Sequence, residues 1–159
     1  MNQIDNFRGA LLGLACGDAV GTTVEFKPRG SFSPLTDMVG GGPFNLALGQ
    51  WTDDTSMAMC LAESLVRRDE FDAHDQMTRY ANWYRNGYWS ATGECFDIGM
   101  ATRAAIDQFL LSGEPLSGNE DPRSAGNGSI MRLAPVVLRY AGTPELPAMA
   151  ELSSRTTHA

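Results

Sequence analysis

The chain contains little cysteine and histidine. Its 159 residues include three cysteines, Cys16, Cys60 and Cys95, and two histidines. The cysteines lie far apart and form no Cys-x-x-Cys pair, so the sequence predicts neither a disulfide framework nor a zinc site. Because unpaired cysteines are typical of a reducing compartment, we expect a cytoplasmic protein.

Long apolar runs and clusters of positive charge are also missing. No stretch approaches the ~20 apolar residues that cross a bilayer, and the apolar run at residues 10–15 contains Gly13 and follows Asp5, which argues against a signal peptide. A formal net charge of −7 without a Lys/Arg run argues against duplex nucleic acid or an anionic membrane as a partner. A small anionic ligand held by backbone amides and a metal ion remains compatible with this charge.

The two-residue alternation that is typical of half-buried strands is absent too, and we predict one all-α domain over residues 1–159. The hydrophobic fraction of 43% and the charged fraction of 19% are typical of globular domains. Asp72 and Asp97 are predicted to cap helices, and Gly113 to end one. Periodicity predicts helices over about residues 5–20, 54–68, 72–84, 97–112, 127–140 with a kink at Pro135, and from 143 onward, with a long loop over about residues 22–50.

The first predicted helix carries a glycine at every fourth position, at Gly9, Gly13, Gly17 and Gly21. Each glycine costs roughly 1 kcal/mol relative to alanine in a helix interior. We expect close helix–helix packing at Gly9 and Gly13. Gly17 and Gly21 flank Asp18, where we expect them to open space at a site.

The segment Thr52-Asp53-Asp54-Thr55 lies at the start of the second predicted helix. One interpretation is structural, because threonine is a good N-cap and acids are favoured in a first helical turn. The other is a site for Mg²⁺ or Mn²⁺, which prefer oxygen ligands. Side chains one residue apart point about 100° apart on a helix, so Asp53 and Asp54 can face two different cations. Since each cation needs about six oxygens, further ligands must come from elsewhere.

The segment Gly126-Asn127-Gly128-Ser129 precedes another predicted helix. Glycines allow close approach of a ligand, and the free amides of a first helical turn bind phosphate groups. The structural interpretation is an Asn-Gly turn with Ser129 as N-cap.

Three further residues are candidates on weaker grounds. Glu25 lies between apolar residues, where a carboxylate can guide substrate or act as a base, although glutamate is usually a surface residue. Asp97 is similar, with helix capping as its ordinary role. His158 is compatible with either a structural or a ligand-binding role.

Taken together, these segments resemble the ADP-ribosylglycohydrolase family, which includes the dinitrogenase reductase-activating glycohydrolases. They follow the order of the family's motifs and cover nearly the whole chain. The matching segments are Gly9-Ala10-Leu11-Leu12-Gly13, Gly17-Asp18-Ala19-Val20-Gly21, Glu25-Phe26, Trp51-Thr52-Asp53-Asp54-Thr55, Phe96-Asp97-Ile98-Gly99, Gly126-Asn127-Gly128-Ser129, Arg132-Leu133-Ala134-Pro135 and Thr157-His158.

The resemblance implies a compact orthogonal helical bundle around two divalent cations, Mg²⁺ or Mn²⁺, and hydrolysis of the bond between ADP-ribose and a modified acceptor on a protein or small molecule. By position, it implies that Thr52, Asp53 and Asp54 bind metal. Glu25 would line the scissile end, and Asp97 the distal ribose or the target side chain. Gly126, Asn127, Gly128 and Ser129 would hold the phosphates, and His158 the nucleotide.

The chain departs from the family pattern in one respect. Family members are roughly twice as long, and a later Asp-x-Asp-Thr segment supplies their remaining metal ligands, whereas no aspartate follows Asp121 here. We therefore expect an N-terminal portion of the domain, with a complementing C-terminal chain or a homo-oligomer. A non-catalytic ADP-ribose-binding module and a metal phosphohydrolase acting on the pyrophosphate remain alternatives. The acceptor linkage, arginine or serine, stays open.

Overall fold

The structure is a computed structural model that describes residues 3–159, and it is helical, as predicted. Within these residues the β-structure consists of two isolated bridges, Gly41 with Leu46 and Asn119 with His158. No helix in this range is long and apolar enough to cross a membrane. The α-helices are α1 (Gln3–Gly21), α2 (Asp53–Arg68), α3 (Ala73–Asn86), α4 (Met100–Ser112), α5 (Ala134–Arg139) and α6 (Leu146–Arg155), and short 3₁₀ turns cover Thr22–Val24, Pro122–Ser124 and Ile130–Arg132.

Helix α2 lies at the centre of the fold, against α1, α3 and α5. Its apolar residues recur at helical spacing, so that Met57, Leu61 and Leu65 are buried on one stripe. The core that they join also includes buried residues of α3, α4 and α5: Met77, Tyr80, Ala81, Trp83, Ile106, Phe109 and Val136. Burial of this stripe fixes the orientation of α2 and therefore the position of its acidic first turn.

The predicted ends of α3 and α4 are largely confirmed. The Asp72 carboxylate accepts the Asp75 N–H at 2.9 Å and so caps α3, and Gly113 ends α4 in the left-handed conformation at φ 78°. Asp97 does not cap α4, which begins at Met100 after Gly99. Asp97 instead has a left-handed backbone, with φ 57°, inside the preceding loop.

The region predicted as one kinked helix over residues 127–140 is two separate elements. A 3₁₀ turn, Ile130–Arg132, precedes α5, which places Pro135 in its first turn. Proline has a fixed φ and no N–H, so it suits a helix start and not a helix interior. The same preference places the start of α6 at Leu146, with Pro147 in its first turn, later than the start predicted from Pro144.

The prediction of close helix–helix packing at Gly9 and Gly13 of α1 is wrong. A methyl group built on either glycine would meet no atom within 4 Å. Within the described residues, α1 contacts α2 and α5 along one flank and buries only Ala19, while Leu12 is 65% exposed. Gly17 and Gly21 open space as predicted, because both border a cavity of about 320 Å³.

Candidate active site

The first turn of α2 is completed by a residue of another helix. Thr52 precedes α2 but makes no capping bond with its own side chain. Instead, the Asp18 carboxylate of α1 accepts the Thr52 N–H at 3.0 Å and the Thr55 N–H at 3.1 Å. It also accepts the hydroxyl protons of Thr52 at 2.8 Å and of Thr55 at 2.6 Å. Asp18 therefore acts as the capping anion of α2.

This bonding pattern decides which oxygen atoms remain available in the first turn. Both Asp18 oxygens are occupied by donors from Thr52 and Thr55. The Thr52 hydroxyl directs its proton to Asp18, so its lone pairs are free to face the cavity. The sequence predicts open space at the glycines beside Asp18 but not its capping role, because Asp18 and Thr52 are 34 positions apart in the chain.

Asp53 and Asp54 lie in a strongly acidic environment. Asp53 is 7% exposed, and burial, followed by the charges of Asp97, Asp54 and Asp18, raises its pKa to about 8. Burial and then the charges of Asp18 and Glu25 also raise the pKa of Asp54. Asp53 interacts with the buried Arg132, but burial and the neighbouring carboxylates outweigh this cation and keep the pKa of Asp53 raised. The site therefore has excess negative charge that a bound cation would neutralise.

Glu25 and Asp97 come together although 72 positions separate them, and they form the second pair of carboxylates. Burial, the Glu25 charge and a hydrogen bond with Glu25 raise the pKa of Asp97 to about 7. Glu25 also accepts a long hydrogen bond of 3.4 Å from the Thr22 hydroxyl. A carboxyl group whose pKa lies near neutrality, as that of Asp97 does, suits acid–base chemistry.

Phenylalanine rings lie beside this pair. Phe26 follows Glu25 in the chain, and Phe96 precedes Asp97. The Phe44 ring lies 6.3 Å from Phe26 and 5.3 Å from Phe96, between centroids.

The loop that carries Asp97 is anchored at its beginning. Trp51 donates its indole N–H to the Trp89 carbonyl at 3.1 Å, and the Glu63 carboxylate accepts the Trp89 indole N–H at 2.9 Å. A methyl group on Gly87 would lie 2.0 Å from the Gly93 carbonyl oxygen, so this turn admits only glycine. These bonds hold the beginning of the loop beside Trp51, which lies just before the N-cap residue of α2.

The cavity beside α1 joins most of these groups. It is lined by Asp18, Glu25, Thr52 and Asp54, together with backbone of α1 and of the turn after it. Asp53 lies deeper, towards Asp97. The structure therefore brings the predicted residues Glu25, Asp54 and Thr52 to one cleft.

Carboxylate and hydroxyl oxygens are the donors that Mg²⁺ and Mn²⁺ prefer, so these residues fit a hard divalent cation in chemistry and in charge. Within residues 3–159, however, no three Asp, Glu, His or Cys side chains form a group that could hold a metal ion. A complete coordination shell therefore needs donors in addition to Asp53, Asp54 and the Thr52 hydroxyl.

The second part of the candidate site is the loop of residues 126–129. A methyl group on Gly128 would lie 2.9 Å from His158 Nε2, and one on Gly126 would lie 3.4 Å from His158 Cδ2. The absence of side chains at these positions lets the imidazole lie directly against the loop backbone. The loop and His158 are therefore neighbours in the structure.

The predicted helix N-terminus at this loop is not observed. The residues after Ser129 form a 3₁₀ turn of three residues. Ser129 is not a side-chain cap, and its hydroxyl pairs with that of Ser154 at 2.7 Å. An anion bound here would contact the loop amides and the His158 ring, but the dipole of a long helix would not stabilise it.

Arg132 connects the two parts of the site. It is fully buried, and burial lowers its pKa, while the Tyr80 hydroxyl and then the Asp53 charge act to raise it. The same guanidinium, after burial, lowers the pKa of His158. Arg132 lies in one of the family-like motifs, but the sequence predicts no role for it, because nothing in a single sequence marks an arginine as buried.

Comparison with known proteins finds one family that matches this chain. An ADP-ribosylglycohydrolase family model matches residues 1–159. ADP-ribosylarginine hydrolase Tri1 of Pseudomonas putida (strain GB-1) is 56% identical over 135 residues, which are 85% of this chain and 36% of that protein. Tri1 of Serratia proteamaculans (strain 568) is 47% identical over 98% of this chain and 43% of its own length.

More distant relatives and a solved structure show the same likeness. The ADP-ribosyl-[dinitrogen reductase] glycohydrolase of Rhodospirillum rubrum is 34% identical over 97% of this chain and 51% of its own. A solved structure, an ADP-ribosylglycohydrolase-related protein complex, superposes with a TM-score of 0.85 at 48% identity, over 99% of this chain and 50% of that one. The chain spans about half the length of these relatives, or less.

Proposed function

The chain belongs to the ADP-ribosylglycohydrolase family, and from this we propose that it supplies one part of a metal-dependent enzyme that hydrolyses the bond between ADP-ribose and an arginine- or serine-type acceptor. The acceptor is carried by a protein or a small molecule. Two relatives are named as ADP-ribosylarginine hydrolases, which makes an arginine linkage the first substrate to test.

The observation that carries this proposal is the group of carboxylates around the start of α2. Asp53, Asp54 and Asp97 all have raised pKa values, and the named causes are burial and other carboxylates. Maintaining such a group costs stability, because like charges repel in a poorly solvated site. A catalytic role for the group explains why the chain keeps it.

The cations proposed for this site are Mg²⁺ or Mn²⁺, held by Thr52, Asp53 and Asp54 together with donors outside this set. When bound, they would supply Lewis-acid chemistry and lower the pKa of a water molecule. Asp18 serves this site indirectly, because its bonds to Thr52 and Thr55 set the direction of the first turn of α2.

The remaining residues would orient the substrate. The loop of residues 126–129 and His158 would bind the ADP part, which leaves the anomeric carbon facing the cleft. Glu25 and Asp97, which share a hydrogen bond, would move a proton between the attacking water and the departing acceptor atom. General acid–base catalysis of this kind contributes typically about 10²–10⁴-fold to a rate.

Turnover of ADP-ribosylarginine in the presence of Mn²⁺, with the part that completes the metal shell supplied, tests the proposal. We expect release of free ADP-ribose, and a loss of at least about 100-fold in Asp53→Asn and Asp54→Asn. Asp107→Asn, an exposed substitution on α4, is the matched control and should retain full activity. ADP-ribosylserine in a parallel assay identifies the acceptor. Full activity in either α2 variant would remove the metal-ligand assignment, and release of AMP would instead indicate cleavage of the pyrophosphate.

A binding module that does not hydrolyse its ligand is the second candidate. It is favoured by the contact of His158 with the glycine loop, which is complete within the described residues, whereas the metal shell is not. Titration calorimetry with ADP-ribose separates the two functions. Equal affinity with Mg²⁺ and with a chelator, together with no turnover, would support the module.

A further inference from the structure

The side chain of Thr157 lies between a buried arginine and a histidine. Thr157 is 1% exposed, and its hydroxyl has two side-chain partners among the described residues. Arg132 Nη2 lies 2.6 Å from the hydroxyl oxygen, and His158 Nδ1 lies 2.7 Å from it. Both distances are those of strong hydrogen bonds.

The direction of these two bonds follows from the chemistry of the partners. A guanidinium can only donate, so the Thr157 oxygen accepts from Arg132. The hydroxyl proton is then left for His158, because no other acceptor for it is found among residues 3–159. If Nδ1 carried the proton instead, the buried hydroxyl proton would have no acceptor, at a cost of about 1–3 kcal/mol.

We propose that Arg132, acting through Thr157, holds His158 as the neutral imidazole with its proton on Nε2, so that a fixed N–H donor faces the loop of residues 126–129. Arg132 and Thr157 are positioning residues in this arrangement. We take the acceptor of this N–H to be an oxygen atom of ADP-ribose, and this assignment rests on the proposed function. The assignment of the tautomer does not depend on it.

Burial and geometry around the ring agree with this assignment. The Arg132 guanidinium stacks over the Tyr80 ring at 4.8 Å and is also bonded to the Ser153 carbonyl and the Thr156 hydroxyl, both at 3.2 Å, so it is held in place. Burial of the His158 ring, and then the positive charge of Arg132, lower the pKa of His158, which favours the neutral ring. The ring's Nε2 edge lies against Gly128 and has no hydrogen-bond partner among residues 3–159.

The tautomer can be measured directly in the wild-type chain by NMR with ¹⁵N-labelled histidine. The chain has two histidines, and a His74→Gln variant assigns their signals. A protonated ring nitrogen and an unprotonated one differ widely in ¹⁵N chemical shift. We expect His158 near neutral pH to show a protonated Nε2 and an unprotonated, hydrogen-bonded Nδ1. Detection of a proton on Nδ1 would overturn the proposal without any variant.

Two substitutions at Thr157 test whether the hydroxyl is responsible. Thr157→Val has nearly the same shape and lacks the hydroxyl, so we expect the Nδ1 signal to move to the position of a nitrogen without a hydrogen bond, and a minor Nδ1–H form to appear. Thr157→Ser restores the hydroxyl and should restore the wild-type spectrum. A Thr157→Val spectrum identical to that of the wild type would show that Thr157 does not set the tautomer. Circular dichroism verifies that both variants are folded.

Binding of ADP-ribose tests the use of this donor. We expect about three- to tenfold weaker binding by Thr157→Val and near wild-type binding by Thr157→Ser, as for the loss of one well-placed hydrogen bond. If Thr157→Val changes the NMR spectrum but not the affinity for ADP-ribose, the Nε2–H donor does not contribute to binding. That result would refute the proposed contact with ADP-ribose. A wild-type chain that does not bind ADP-ribose would contradict the proposed function, while the NMR result would still decide the tautomer.

Discussion

The carboxylate of Asp18 takes the place that an N-cap side chain usually has at the start of a helix. The residue in the N-cap position of α2, Thr52, makes no capping bond with its own side chain. Asp18 instead receives two N–H groups and two hydroxyl groups from the first turn. This one carboxylate of α1 thus caps α2 and also fixes the orientation of the Thr52 side chain.

We expect Asp18→Asn to destabilise the chain by about 1–3 kcal/mol, although it removes one negative charge from an acidic site. The amide NH₂ group would face donors of Thr52 or Thr55 and leave at least one of them without an acceptor. Urea denaturation with a chelator present measures the free energy of unfolding. Asp107→Asn is the control, and we expect a change within about 0.5 kcal/mol. An Asp18→Asn variant as stable as the wild type would contradict the capping role.

At the same scale, the sequence offers candidate site residues but does not predict the contacts between them. Glu25 and Asp97 were candidates from sequence, and the structure brings them into hydrogen-bond contact. Arg132 and Thr157 had no predicted role, because burial and the pairing of distant residues are not visible in a motif. The assignments to metal and to ADP-ribose stay predictions.

Among the helices, α2 and α3 are joined by charged side chains as well as by the core. Arg79 of α3 contacts Glu63 of α2 at 2.9 Å and Asp75 at 2.6 Å. The three side chains are only 15–20% exposed. Glu63 also accepts the Trp89 indole N–H, so this cluster connects the helix pair to the loop that carries Asp97.

Arg79→Met should therefore destabilise the chain by about 2–3 kcal/mol, because it removes the least exposed cation from two partly buried carboxylates. Among the described residues, only the more exposed Arg67 and Arg68 then remain as their ion-pair partners. Arg67→Met is the matched control on α2. Arg67 is 71% exposed and lies 3.7 Å from Glu63, so we expect an effect within about 0.5 kcal/mol. Thermal or urea unfolding of both variants compares the two sites. Equal losses of unfolding free energy in the two variants would show that the Arg79 cluster stabilises the chain no more than an exposed ion pair does.

The helices were predictable where local signals agreed with burial. In α2 and α3, apolar periodicity and terminal residues all point to one helix, and the structure places both close to the predicted positions. The prediction was wrong around Pro135, because the apolar pattern continues across a residue that has to begin a new helix. It was also wrong for Gly9 and Gly13, because glycine spacing does not tell whether a neighbour is present.

For the molecule as a whole, the acidic cleft sets the dependence of stability on pH. The pKa of Asp53 is raised to about 8 by burial first and then by neighbouring carboxylates, and that of Asp97 to about 7. A carboxyl group with a raised pKa binds its proton more tightly in the folded state than in the unfolded chain. Each group therefore lowers stability as pH rises from the unfolded value, about 4, to the folded value.

In the presence of a chelator, we expect the free energy of unfolding to fall by about 1–3 kcal/mol between about pH 5 and pH 8. Asp53→Asn should remove much of this slope and should be more stable than the wild type at pH 8. Glu63 and Asp75 have lowered pKa values, so their contribution is lost only below about pH 4, outside this range.

Adding Mn²⁺ at about pH 8 provides the complementary measurement. If the folded chain binds Mn²⁺ in the cleft and the unfolded chain does not bind it, the melting temperature should rise with Mn²⁺ concentration. The rise should be smaller in Asp53→Asn. Asp107→Asn should respond like the wild type.

Two outcomes would contradict these predictions. If the free energy of unfolding of the chelator-treated protein stays constant or increases from pH 5 to pH 8, the carboxylates do not repel one another in solution. An equal Mn²⁺ response in wild type and Asp53→Asn would place the cation elsewhere.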